Sequence, residues 1–505
     1  MIFLLAVSAL ASGSGELRVG YITIDEDGNQ GANYPSYNLY EGAAVSLDNF
    51  SYRFTNGIRV GADLKNIGLE NRNLNLMIDK PGAFGIKFHG DKYRRVYNFD
   101  GSNNTKRDRN GADLWAYLDK HVKIFGGFSN SDFSGKIGNL FNIGFIDIPR
   151  EYDYRQFNYN AGIRLNCKTR MLQTELNHLN YFDHKNISNN QKRTNYKVNG
   201  YVGLFKENRV ILSGGFRHFQ TVYSETLFKV KSNVLWGGGR LQLPENFALS
   251  YNLLFDRSGS DSDRVKSDNL AQAVYLSYIR ASFMELTAGF QSDINDDAEF
   301  EVESNSFYLR GKVKPTSSFE WTAEYGMRTE DVKTGIRLTG DEERTRYRLG
   351  IKYSPQMLGN LILKYEGRIR KNDDISSKAD FQRIGADWTF RFVGLADIGI
   401  GYSNSFGKYE NLEQNFEFTD HVLSGDVTLK EIYRLRLGLG GAYYRSKRDL
   451  DIESFNLKIS GVYQIVQDAR LEVIYNVQNF DDFLTLDNYY TSNIVEVNII
   501  KGFSF

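Results

Sequence analysis

Phe319-Glu320-Trp321-Thr322-Ala323-Glu324-Tyr325-Gly326-Met327 places a ring or another apolar group at every second position, with carboxylates and a hydroxyl at most positions between. Successive side chains of a strand point to opposite faces, so a period of two predicts a strand that is apolar on one side and polar on the other. The scheme repeats downstream, with Tyr347, Leu349, Ile351, Tyr353 and then Leu361, Leu363, Tyr365, Gly367, Ile369 forming apolar rows. The positions between them include Arg346, Arg348, Lys352 and Lys364, Glu366, Arg368, Arg370. Many such segments run to about 9–13 residues, beyond the five or six usual in soluble sheets and long enough for a tilted strand to cross a bilayer.

Outward from this stretch the alternation continues in both directions. It is carried by Ile384, Ala386, Trp388, Phe390, Phe392 and by Leu435, Leu437, Leu439, Gly441, Tyr443 towards the end. Ile58, Val60, Ala62, Leu64 carry it near the start, and it fades only around 98–150, where Asn and Gly are dense. Polar stretches such as 256–263 and 340–343 alternate with short connections such as 315–318 and 354–356. Long loops on one rim and short turns on the other, with rings such as Phe319 and Tyr325 at the ends of apolar rows, are expected of an outer-membrane barrel. The fold predicted is an all-β, antiparallel, up-and-down transmembrane barrel of about 24 strands, within a range of about 20 to 26, because single-chain barrels favour even numbers.

Composition supports this class. The chain has 35 Phe, 32 Tyr and 47 Gly but only 6 Pro, and 62 Lys plus Arg balance 62 Asp plus Glu. A mean hydropathy of -0.45 is too polar for a bundle of spanning helices. Abundant rings and β-branched residues argue against disorder. Zero net charge points to no nucleic-acid partner.

The two ends carry export signals. Met1-Ile2-Phe3-Leu4-Leu5-Ala6-Val7-Ser8-Ala9-Leu10-Ala11 is a short apolar core closed by a small-x-small triplet, read as a signal peptide at 1–11, with a buried N-terminal strand as the alternative. Residues 12–33 are expected to form a short periplasmic segment, and 34–505 the barrel. At the other end Val497, Ile499, Phe503 and Phe505 lie in one row, interrupted by Lys501. An apolar row ending in Phe resembles the C-terminal signal read by the barrel-assembly machinery, which makes that machinery and outer-membrane lipid the expected partners.

No catalytic, cofactor or metal site is expected. Cys167 is the only cysteine, so paired-cysteine metal sites and C-x-x-C-H haem attachment are excluded. His178 and His184 are close in sequence but match no ligand spacing, and no G-x-S-x-G is present. The polar rows supply the candidate lumen lining: Glu320, Glu324, Arg346, Arg348, Lys352, Lys364, Glu366, Arg368 and Arg370. Such residues can set a field across a pore, or they can simply pair across strands and hydrate the wall.

Gly15-Glu-Leu-Arg-Val-Gly-Tyr21, Asp25-Glu-Asp-Gly-Asn29 and Tyr37-Asn-Leu-Tyr-Glu-Gly42 resemble the opening of the decahaem-associated outer-membrane proteins, and Tyr490-Thr-Ser-Asn-Ile-Val-Glu-Val-Asn498 is similar to their ending. The resemblance implies a barrel that sheaths a multihaem c-type cytochrome, with the haems on that partner. The chain lacks the C-x-x-C pair that some members carry.

The expected function is a porin-like channel giving passive passage across the outer membrane. The cytochrome sheath is the alternative and an outer-membrane enzyme a minor one. A receptor energised from the inner membrane is disfavoured, because the residues ahead of Tyr34 are too few for a compact plug of at least about 50 residues.

Overall fold

A computed structural model describes the chain except residues 1–11, 29–39, 97–102, 138–149, 262–265, 282, 298, 336–340, 356–358, 393, 413, 485–488 and 505. The signal-peptide reading and Phe505 lie outside the described residues. Among the described residues, twenty-six strands form one sheet in which each pairs antiparallel with its neighbours in sequence. The last strand, β26 (Tyr489–Ser504), pairs with the first, β1 (Ser12–Gly28), and closes the sheet. This is the expected up-and-down barrel, at the top of the expected strand range.

Closure fixes which face is which. In β1 the row Leu17, Val19, Tyr21 is exposed, and it registers with Leu47, Val45 and Ala43 of β2 (Gly42–Arg53) on one side. Lys501, Ile499 and Val497 of β26 flank it on the other. The same kind of row runs round the sheet through Leu309, Leu349, Leu423 and Leu439, all strongly exposed. So much apolar surface on one face is stable only against hydrocarbon, so this face is the outer, lipid-facing one. Rings cluster at both edges of the belt: Phe319 and Tyr353 are 5.8 Å apart at one edge and Tyr347 and Tyr365 are 5.6 Å apart at the other. Amphipathic rings favour these two interfaces.

The described structure corrects the N-terminal boundary. Residues 12–28 are not a periplasmic segment but the first strand, because the alternation of Leu17, Val19 and Tyr21 supplies an outer face that β2 and β26 continue. Both ends of the barrel chain lie on the same rim, together with short connections such as 81–83, 168–169 and 317–318. The opposite rim carries longer connections, among them 66–72 and 184–190.

With 26 strands about 4.8 Å apart and tilted by about 40°, the closed sheet has a backbone diameter of roughly 50 Å. Side chains narrow the lumen to roughly 40 Å. Among the described residues, elements pack essentially against their neighbours in the sheet, and no described segment crosses the lumen.

Candidate ligand site on the inner wall

The polar rows of the sequence fall on the inner face of three adjacent strands, β17 (Phe319–Gly335), β18 (Glu342–Tyr353) and β19 (Asn360–Asn372). They divide into two levels. Near the short-turn rim, Glu320 stands opposite Lys352 and accepts from Lys312 at 3.2 Å and Lys314 at 3.1 Å, while Lys364 reaches Asp387 at 3.1 Å. These are ordinary cross-strand pairs that hydrate the wall and add little stability each.

The upper level, towards the long-loop rim, is different. Arg328 registers with Arg344, Arg344 with Arg370, and Arg346 with Arg368, so three pairs of arginines stand directly opposite one another. Like charges in that position destabilise a sheet unless something compensates. Four carboxylates do so. Glu366 lies 2.7 Å from Arg368, 3.3 Å from Arg348 and 3.4 Å from Arg346. Glu342 lies 2.6 Å from Arg370 and also pairs with Arg344, Glu330 lies 2.9 Å from Arg328, and Asp293 lies 3.2 Å from Arg328. Glu324, opposite Arg348, is 3.9 Å from it.

Charge is sorted by depth. The Glu342 and Glu330 side chains are 1% and 6% exposed, whereas Arg368 and Arg370 are 57% and 55% exposed. The carboxylates therefore sit against the wall, and the guanidinium groups stand above them towards the lumen. Each guanidinium has five donors, so one shared carboxylate leaves much of its donor capacity available. Acid and base are mixed along the sequence, but the surface offered to the lumen here is cationic.

A recess of about 900 Å³ opens over this patch, lined by Arg328, Arg344, Arg346, Arg368 and Arg370 together with Tyr275, Gln291, Tyr308 and Phe381. That size is typical of a small-molecule site. Tyr275 comes from β14 (Lys266–Arg280), Gln291 from β15 (Met284–Asp297), Tyr308 from β16 (Phe300–Thr316) and Phe381 from β20 (Ser377–Phe392), so seven neighbouring strands build it. Sequence reading singled out Arg346, Arg348, Glu366, Arg368 and Arg370 and missed Arg328, Arg344, Glu330, Glu342 and Asp293. The parity of Arg344-Thr-Arg-Tyr-Arg348 held the signal for Arg344, which shares the inner row of Arg346.

The C-terminal residues Val497 and Ile499 face lipid at the closing seam, opposite Tyr21 and Val19. Phe503 packs near Phe50, with ring centroids 6.3 Å apart. Lys501 interrupts the row because it lies at the rim, where its ammonium pairs with Asp468 in the turn before β25 (Ala469–Asp482). Among the described residues no group of three or more His, Cys, Asp or Glu side chains could hold a metal ion. His178 bonds to Thr194 at 3.1 Å and Asn180 at 3.1 Å, and Cys167 is exposed at the end of β8 (Arg150–Cys167).

A closed antiparallel barrel with a lipid-facing belt defines a bacterial outer-membrane protein. The solved structures with which it superposes are more particular. It matches the siderophore receptor PirA from Acinetobacter baumannii with a TM-score of 0.52 at 8% identity, covering 98% of this chain and 81% of that one. A mutant of the ferric enterobactin receptor PfeA from Pseudomonas aeruginosa gives 0.51 at 11% identity, covering 98% and 81%. P. aeruginosa FpvA bound to heterologous pyoverdines gives 0.50 at 11%, covering 97% and 72%. Neither a protein-family model nor a curated protein matches the sequence, and nothing supports the decahaem-associated resemblance.

These neighbours correct the expected function. The superposed barrels named above are receptors by their descriptions and none is a passive porin, so the porin-like expectation is not upheld.

Proposed function

We propose that the chain is the barrel of an outer-membrane uptake receptor, which takes a specific ligand from the long-loop side and passes it to the periplasm. The carrying observation is the fold likeness to siderophore receptors over nearly the whole chain. The short-turn rim is assigned to the periplasm, as in other barrels of this kind. A lumen of this width left open would abolish the membrane barrier, so the reading includes an element that occludes it, as a plug does in 22-stranded transporters. Such an element would come from residues outside the described strands or from a second polypeptide.

Because the solved neighbours are siderophore receptors, ferric chelates are the first ligands to test. Cells with and without the gene are given a panel of radio-iron chelates, with and without a protonophore. Accumulation of one chelate that needs both the gene and the proton gradient supports the reading. Gene-dependent entry that merely equilibrates, and that a protonophore leaves unchanged, overturns it.

A further inference from the structure

We propose that the arginine recess of β17–β19 binds a ligand carrying several oxyanionic groups, carboxylates or phosphates, spaced about 5–7 Å apart. The spacing follows from the sheet: directly opposed residues on neighbouring strands have Cβ atoms about 5 Å apart, and alternate residues along one strand are about 6.7 Å apart. Arg344, Arg346, Arg368 and Arg370 therefore form a two-by-two grid of forked donors. A single small anion can engage one corner of that grid, whereas a multivalent one can engage several corners at once. Guanidinium suits this task because it stays charged and meets carboxylate or phosphate oxygens with two parallel bonds.

Structural support alone does not account for the arrangement. Cross-strand pairing of opposite charges would stabilise the wall, as it does at Glu320 and Lys364, yet here three arginine pairs face each other. The buried carboxylate of Glu342 and the half-buried one of Glu366 make the cluster tolerable while leaving the guanidinium groups as the more exposed layer. Tyr275, Tyr308 and Phe381 flank the recess and offer ring faces or edges to an apolar or aromatic ligand body.

This inference deepens the uptake reading, on which it rests only for the route by which the ligand arrives. Its test needs no transport. The full chain, folded in detergent micelles, is titrated calorimetrically with tripolyphosphate, citrate and orthophosphate at low and moderate salt. Tripolyphosphate or citrate should bind at least tenfold tighter than orthophosphate, and the preference should shrink as salt rises; which of the two binds more tightly separates phosphate from carboxylate ligands. The double variant R346Q/R368Q should lose at least tenfold, and R346K/R368K, which keeps charge but not the fork, should fall between. Heat-dependent gel migration checks that each variant is folded. Equal affinity for orthophosphate and the multivalent anions, or no binding of any, overturns the proposal, as does unchanged binding in a folded R346Q/R368Q barrel. Should binding fail while cells still accumulate a neutral or cationic chelate, this inference falls and the uptake reading stands. Binding without gene-dependent accumulation of any chelate leaves the inference standing and overturns the uptake reading.

Discussion

Arg346 and Arg368 stand directly opposite each other on neighbouring strands, and both guanidinium groups reach the same carboxylate, that of Glu366, at 3.4 Å and 2.7 Å. Glu366 also lies 3.3 Å from Arg348, so one acid holds three cations in register. The wall at this point is therefore a cluster in which no pair is independent of the others.

Removing that shared acid should cost more than an ordinary surface pair. Glu366→Gln leaves three guanidinium groups facing one another, and the expected loss is about 1–3 kcal/mol, read as a lower urea midpoint for the folded barrel. Sulfate should restore part of the loss, because an added anion takes the place of the carboxylate. A midpoint unmoved by the substitution would show that the three contacts are not coupled.

The closing seam supplies a second prediction. Glu16 on β1 and Arg470 on β25 pair through two contacts of 2.9 Å, and Arg18 lies 3.0 Å from Glu472, so both ion pairs bridge over the intervening strand β26. Ile500, between them on the inner face, is 1% exposed. Ile500→Ala should cost about 2–4 kcal/mol through the cavity it leaves. The loss should show first as faster amide exchange in β1 and β26 than in β13 (Phe247–Ser260) on a distant part of the wall. Uniform loosening round the whole barrel would contradict a local seam.

Class and register were legible in the sequence because the outer row is apolar for as long as the strand is in lipid. The first strand escaped notice because its outer row holds only Leu17, Val19 and Tyr21 before Thr23 and Asp25 carry it out of the apolar belt. The alternation faded around 98–150 for a related reason: β6 (Asn104–Tyr117) presents Ala112, Leu114 and Ala116 to the outside, and β7 (Val122–Ile137) presents Ile124, Gly126 and Phe128, so small residues dilute the signal. The recess was only half legible. Parity puts Arg346 and Glu366 on one face, but nothing in one dimension says that Glu342 is buried beneath Arg370, since depth depends on which strands lie alongside.

The outer belt can be tested at Leu439, on β23 (Leu435–Arg448), which is exposed and lies between Val427 and Ile459. Leu439→Arg should destabilise the barrel in bilayers by about 2–4 kcal/mol, the cost of a cation near the midplane. Asn456→Arg, on the inner face beside Ala442, should be nearly neutral. Equal effects from the two substitutions would refute the assignment of faces.

One turn carries a pH signature. The carboxylate of Asp119, between β6 and β7, accepts from the backbone N–H of His121 and from that of Val122 at 3.0 Å. The His121 bond, first among the causes, holds its pKa below the ordinary aspartate value. A group depressed in the folded state adds stability above its unfolded pKa, near 4, and loses it as pH falls through the folded value. Relative to Asp119→Ala, wild-type protection of the 118–122 amides should therefore be greater at pH 6 and converge with the variant in acid. A ratio independent of pH would mean the carboxylate is not what holds the turn.

Orientation is the assignment on which the uptake reading depends, and the chain contains its own reporter. Cys167 is exposed and ends β8 one residue before the short connection 168–169, on the rim that also holds both barrel termini. If that rim is periplasmic, a membrane-impermeant maleimide should leave Cys167 unlabelled in intact cells and label it once the outer membrane is permeabilised. A cysteine placed at Thr226, in the connection 224–228 of the opposite rim, in a Cys167→Ser background, should react in intact cells. The reverse pattern would turn the barrel over, put the arginine recess nearer the periplasm, and make it an exit site on the ligand's path instead of an entry site.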